Sequence, residues 1–218
     1  MSDGNQQLDR DVDGSAIDGL RDEVAANRDP QYDIDPLFVN RWSPRAMTGE
    51  TLPEEELMAL FEAARWAPSS YNNQHWRFIY AEPTDDNWDA FVDLLAEGNQ
   101  PWAEDAAALV IIISKTTFDF NDEYAPTHSL DTGAAMENLA LEAARRRLVF
   151  HGMQGFDYDA AADYLNLSDE YEVEAMAAIG ERAAEETLPE DYQDQEEPNQ
   201  RKDLDEIVFN GDFAPTDE

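Results

Sequence analysis

Glu62-Ala63-Ala64-Arg65-Trp66-Ala67-Pro68-Ser69-Ser70-Tyr71-Asn72-Asn73-Gln74-His75-Trp76-Arg77-Phe78 joins the end of a helix to the start of a strand through a loop of polar turn formers. N-terminal to the loop, Leu57, Leu60, Phe61 and Ala64 recur at i, i+3, i+4 and i+7, the spacing of one buried helix face. Thr51 followed by Glu54 has the spacing of a capping box, Pro53 suits a first turn, and Glu54, Glu55 and Glu56 favour the positive end of the helix dipole. Pro68 ends the helix, and Arg77–Ala81 reads as a strand.

Outward from this unit, Trp88, Phe91, Val92 and Leu95 repeat the helical stripe before Gly98. Ala107–Ser114 is an unbroken apolar run with three Ile in succession, which suits a strand buried on both faces. Ser129 is placed to cap a long helix through about Arg147, rich in Ala and Gly and so able to approach a neighbour closely. Strands at Leu148–Met153 and Val173–Gly180, a helix from Asp157 to about Leu165, an acidic connector Arg182–Gln200 and a short strand at Glu206–Phe209 complete the reading. The irregular alternation, without internal repeats, predicts an α+β or α/β sandwich of helices on one sheet.

The 218 residues favour little more than one domain. Residues 1–33 hold nine Asp/Glu, three Arg and no aromatic before Tyr32. They read as a solvated acidic arm, 1–34, with a short helix near Ile17–Ala26. The core domain spans 35–213 and a tail 214–218.

Fifty Asp/Glu against 14 Lys/Arg give a formal charge of −36. Such a field opposes nucleic-acid backbones and anionic membrane surfaces, so neither is an expected partner. Apolar residues make up 42% and aromatics 11%, enough to build a core, so this is a folded protein with an acidic skin. Lys115 and Lys202 are the only Lys, a pattern that suits a surface kept hydrated at high salt. Without Cys there is no disulfide, thiolate metal site or cysteine nucleophile, and His75, His128 and His151 are too far apart in sequence for a helical ligand pair. The longest apolar run, Ala106–Ser114, is too short for a bilayer, and no signal-peptide pattern opens the sequence. A cytoplasmic location is the simplest expectation.

Singly, the polar clusters have plain explanations. Arg41-Trp42-Ser43-Pro44-Arg45 reads as a surface turn, Pro68–Gln74 as a connecting loop, Arg145-Arg146-Arg147 as a helix ending, and His128 and His151 as structural histidines. In combination they resemble the nitroreductase family of flavin enzymes. The Arg-x-Ser-x-Arg opening, the helix ending in Ala67-Pro68-Ser69-Ser70, and Asn72, Gln74 and Trp76 before a strand follow that family's order. Asp131-Thr132-Gly133-Ala134-Ala135-Met136-Glu137-Asn138-Leu139 is similar to its central helix. Gly152-Met153-Gln154-Gly155-Phe156 is similar to its flavin-facing turn, and Arg201–Val208 to its C-terminal phosphate-binding segment.

The resemblance implies a three-layer α+β sandwich with a mixed sheet, in an intertwined homodimer whose flavin lies between subunits. It implies FMN as cofactor, held by Arg41, Ser43, Arg45, Pro68, Ser69, Ser70, Asn72, Gln74, Gln154, Gly155, Arg201 and Lys202. Arginine suits the FMN phosphate because its guanidinium donates two parallel hydrogen bonds. Arg45 is the candidate for the anionic edge of the reduced ring, and a backbone N–H of Gln154 or Gly155 for flavin N5. Tyr71, His75 and Phe156 are assigned to the substrate pocket, and Tyr71 and His75 read equally well as packed loop aromatics. No metal is implied and no side chain is singled out as a general acid or base. The activity implied is ping-pong hydride transfer from NAD(P)H through the flavin to a small electron-poor acceptor such as a nitroaromatic or quinone. Reductive dehalogenation, flavin-fragmenting chemistry and a non-catalytic flavin-binding or acidic interaction protein remain open alternatives.

The charge alone generates one prediction. The Debye length shrinks from about 30 Å at 0.01 M salt to about 3 Å at 1 M, which removes most of the repulsion among surface carboxylates. The melting temperature should therefore rise steeply from millimolar to molar KCl, measured by circular dichroism; a flat response would contradict the high-salt reading.

Overall fold

A computed structural model describes residues 19–213. In chain order these form α1 (Asp22–Asn27), α2 (Pro36–Asn40), α3 (Glu54–Arg65), β1 (Trp76–Ala81), α4 (Trp88–Asp93) and α5 (Gln100–Ala103). There follow β2 (Ala108–Lys115), α6 (His128–Arg145), β3 (Leu148–Met153), α7 (Tyr158–Leu165), β4 (Tyr171–Glu181), α8 (Glu190–Gln193) and α9 (Leu204–Ile207). Single 3-10 turns occupy Ser70–Asn72 and Glu185–Thr187.

The strands form one sheet in the order β1-β2-β4-β3. All three pairings are antiparallel, so the expected mixed sheet is corrected to an antiparallel one among the described residues. β2 is buried from Ala108 to Ser114, as its unbroken apolar run requires. Leu109, Ile111 and Ile113 enter one core with Phe91 of α4, Trp102 of α5 and Ala161 of α7. Val110 and Ile112 enter the other with Leu57 and Leu60 of α3 and Ala135, Leu139 and Ala143 of α6. The result is three layers, with α3 and α6 on one face of the sheet and α4, α5 and α7 on the other. Among the described residues no helix is long and apolar enough to cross a membrane.

Several local expectations are corrected. The α3 N-cap is Pro53, with no side-chain cap, so Thr51 does not complete a capping box. The structure places such a box at α9, between Asp203 and Glu206, and this helix replaces the expected strand at Glu206–Phe209. Thr127, not Ser129, precedes α6. The helix expected up to Gly98 stops at Asp93, and α5 forms separately.

Residues 19–33 are not a free arm, and residues 1–18 lie outside the described residues. Val24 is fully buried and packs with Val39 and Trp42. Arg21 donates to the Ala144 carbonyl at the end of α6, and Arg182, which sits over the Trp42 ring, pairs with Glu23. One apolar residue and a few long-range polar ties dock a segment whose composition is otherwise that of a solvated chain.

Leu139 lies fully buried between α6 and α3, whereas Leu130, on the same helix, is 73% exposed. Leu139→Ala should therefore lower unfolding free energy by about 2–5 kcal/mol. Leu130→Ala should change it by less than about 0.5 kcal/mol. Urea denaturation of both variants measures the contrast.

Candidate functional site

A cavity of about 240 Å³ beside the β3 edge is lined by Arg28, Arg41, Trp42, Ser43, Arg45, His151, Gln195, Glu197, Asn199 and Arg201. It gathers four of the expected cofactor residues, Arg41, Ser43, Arg45 and Arg201, and adds Arg28 and His151. The turn that presents Arg45 is pinned by Glu196, whose buried carboxylate accepts from the backbone N–H groups of Arg45 and Ala46. This buried acid lies in the segment read as an acidic connector. Its fixed charge is met by two amides that would otherwise need partners at a bend.

Arg28 is held by backbone oxygens. Its side chain donates to the carbonyls of Val39, Arg41 and Asn199, at 2.6, 2.8 and 2.9 Å. Carbonyls satisfy three of its donors without cancelling its charge. Burial, followed by the neighbouring Arg201 and Arg41, lowers its pKa to about 10. Arg41 reaches Glu137 at 3.5 Å, and Arg201 bonds to the Asn199 carbonyl and side chain. Mutual repulsion among guanidiniums in a chain of charge −36 marks a place that an anion would stabilise.

His151 adds shape rather than charge. Its Nδ1 donates to the Pro44 carbonyl at 2.9 Å and its ring lies 4.6 Å from that of Trp102. Burial lowers its pKa below the usual value, with Arg45 acting in the same sense.

Farther along the same edge, β3 runs into the exposed turn Gln154–Gly155. Asn99 Nδ2 donates to the Gly155 carbonyl at 2.8 Å, and a Cβ on Gly155 would lie 2.7 Å from that nitrogen. Gly155 thus makes room for Asn99.

The remaining loop residues lie elsewhere. Pro68, Ser69, Ser70, Tyr71, Asn72 and Gln74 precede β1, the opposite edge strand, so at least three strand spacings, about 14 Å, separate β1 from β3. Ser70 N–H donates to Asp131 on α6, and Gln74 N–H donates to Ser69 Oγ. Tyr71, Asn72 and Gln74 hold φ values of +53°, +55° and +53°. This left-handed backbone costs roughly 1–2 kcal/mol per non-glycine residue and clusters at functional loops. It leaves Tyr71 80% exposed, with its ring 5.5 Å from those of Phe118 and Phe120.

Comparison with known proteins matches this layout to one family. A sequence model described as Nitroreductase family covers residues 39–98 and 81–181. The chain belongs to the nitroreductase family. A solved structure described as an oxidoreductase containing FMN is 40% identical, with a TM-score of 0.83 over 87% of this chain and 97% of that one. A nitroreductase family protein from Clostridium difficile 630 shares the fold at 20% identity, with a TM-score of 0.63 over 84% of this chain and all of that one. An oxygen-insensitive NADPH nitroreductase from Helicobacter acinonychis is 33% identical over 109 residues, 49% of this chain and 46% of that protein.

Within this nitroreductase-family chain three expected site residues are placed differently. His75 is fully buried, its Nδ1 donating to the Lys115 carbonyl at 2.7 Å, so it supports the loop from below instead of lining a pocket. Phe156 is buried and stacked on Tyr158 at 4.0 Å, part of the core. Lys202 faces Glu206 at 3.8 Å and lines an adjoining apolar groove rather than the basic cavity. Conversely, Arg28 and Asn99 are site features that no local pattern announced, because their partners are distant in sequence. Arg28 bonds carbonyls 11, 13 and 171 positions away, and Asn99 one 56 away.

Arg28→Met should leave three carbonyls without their donor, at a cost of about 1–3 kcal/mol for each one that stays buried. Limited proteolysis should then cut within 19–33 faster than in wild type.

Proposed function

We propose that this chain is an FMN-dependent oxidoreductase, active as a homodimer, that takes hydride from NAD(P)H and delivers it to an electron-poor acceptor such as a nitroaromatic or quinone. The observation that carries the reading is the basic cavity of Arg28, Arg41, Arg45 and Arg201 in a chain of charge −36. It has the donor chemistry a phosphate monoester needs, and fixed guanidinium forks supply it. Support comes also from the FMN-containing relative at 40% identity and, for the reductant, from the name of the Helicobacter relative.

In this proposal Arg41 and Arg201 hold the phosphate, Ser43 orients it, and Arg45 faces the ring edge that becomes anionic on reduction. The exposed turn Gln154–Gly155, braced by Asn99, offers backbone N–H groups toward N5. Bound FMN would supply the two-electron chemistry. The protein's own task is orientation, exclusion of water and stabilisation of negative charge, which is why no acid–base dyad is needed.

The separation of the two motif groups argues for the dimer. A single chain carries the cationic half beside β3 and the Ser69–Gln74 half beside β1, so one cofactor meets both only where two copies abut. Tyr71 of one copy would then flank the acceptor space of the other.

The purified protein should be yellow and oxidise NADH or NADPH in the presence of a quinone or nitroaromatic panel, with parallel double-reciprocal lines. A charge-assisted bond to phosphate contributes about 1.5–3 kcal/mol. Arg41→Ala or Arg201→Ala should therefore weaken FMN binding by about ten- to a hundredfold, measured by flavin fluorescence. Arg145→Ala is the control, since Arg145 pairs with Glu142 at the end of α6. A flavin-loaded monomer in sedimentation would overturn the shared-site arrangement.

A further inference from the structure

On the α6 side of the sheet, β4 breaks its own alternation. Ser114 pairs with Glu172 and Ile113 with Val173, but Ile112 pairs with Ala175, so Glu174 is the extra residue of a β-bulge. Val173 packs in one core and Ala175, two positions on, in the other. The inserted Glu174 absorbs the change of face, and its carboxylate is aimed at the start of α6. There its Oε1 accepts from Ser114 Oγ and from Ser129 Oγ, at 2.5 and 2.6 Å.

That pair of bonds fixes the tautomer of the buried His128. Ser114 Oγ gives its only proton to Glu174, so His128 Nδ1, 2.7 Å from the same oxygen, must be the donor between them. In the neutral ring the proton therefore sits on Nδ1, and the lone pair of Nε2 points away from the serine. It faces Glu172 Oε2 at 3.9 Å and the Tyr124 hydroxyl at 3.5 Å, the outer limit of a hydrogen bond. The Tyr124 contact is long, so the lone pair and the Glu172 carboxylate are left facing one another, an arrangement that a cation between them would relieve. The His128 side chain is only 5% exposed, so water does little to relieve this, while Glu172, at 60%, keeps a path to solvent.

We propose that His128, Glu172 and Glu174 form a binding site for a divalent transition-metal ion. One ligand atom from each lies within 4.8 Å of the others. An imidazole nitrogen with two carboxylates suits zinc or manganese and disfavours the all-oxygen preference of calcium and magnesium. Glu174 Oε1, through Ser114, plays the part that an outer carboxylate plays for many metal-bound histidines, holding the ring and its tautomer, and Oε2 is left as the oxygen that would ligate. The ion would tie the first turn of α6 to the β4 bulge. Asp131, one turn along α6, holds the Ser70 amide, so the same tie would steady the strained Ser69–Gln74 loop. The site is independent of the cofactor reading and stands or falls without it.

The test uses the full chain, freed of any affinity tag, stripped with chelator and held in molar KCl to screen diffuse binding. ZnCl2 and MnCl2 are titrated separately by calorimetry. One ion per chain should bind in the micromolar range, and anomalous scattering from a soaked crystal should place it at His128. Ser114→Ala should weaken binding by about tenfold or more through loss of the outer hydrogen bond. Glu172→Gln, at a largely exposed position where folding is not at risk, and His128→Gln should each weaken it further, while exposed Glu185→Gln should not. Absence of saturable binding by wild type would overturn the proposal. So would affinity unchanged in Glu172→Gln and His128→Gln, which would indicate diffuse attraction to the acidic surface. Nitrogen NMR showing His128 protonated on both ring nitrogens in the presence of metal would assign the charge between the carboxylates to an imidazolium instead.

Discussion

The pairing of β2 with β4 organises this molecule. β2 is buried on both faces and paired along both edges, so its backbone groups and its side chains are all met inside the protein. β1 and β4 flank it, α3 and α6 cover one face, and α4, α5 and α7 cover the other. Polar chemistry is thereby excluded from the centre and pushed outward. The cationic cavity forms outside β3 and the serine- and asparagine-rich loop outside β1. The separation of these halves, and with it the case for a second copy, follows from the width of the sheet.

Charge supplies the second organising constraint. In a chain of −36, an arginine placed beside a carboxylate is neutralised locally, as Arg65 is by Glu62 and Arg145 by Glu142. Arg28 is treated otherwise: three of its N–H donors go to carbonyls, which fix its position and leave its charge in the cavity. The same principle operates in reverse at Glu196, whose carboxylate is met by backbone amides near the turn that carries Arg45. Backbone dipoles satisfy hydrogen bonding at both places without cancelling charge. At Arg28 this leaves a positive charge in the cavity, and at Glu196 a negative one behind the turn that carries Arg45.

Periodicity and composition were enough to read the order of the main elements from Leu57 to Gly180, because a buried helix face and a doubly buried strand each impose their spacing on the sequence directly. The motif order carried the family, and with it three of the four arginines of the basic cavity. Local signals failed where a distant partner outweighed them. Thr51 and Glu54 have capping-box spacing but Pro53 begins the helix, whereas Asp203 and Glu206 form the box where a strand was expected. The alternation of β4 could not announce its bulge, since only pairing with β2 defines which residue is extra. His75 reads from its loop as a pocket residue, yet the backbone at Lys115 draws it fully inside.

The amino-acid order thus determined the layers, the acidic skin and the family, which depend on periodicity within short windows, on overall composition and on the order of short motifs along the chain. Tertiary structure alone decided that Val24 and Arg28 dock the N-terminal segment, that Asn99 meets Gly155, and that Ser114, His128 and Glu174 share one network. These contacts join residues whose separation along the chain carries no information about their distance in space. They are set by the register of the sheet and the angle of α6 across it, and both are products of packing the whole core at once.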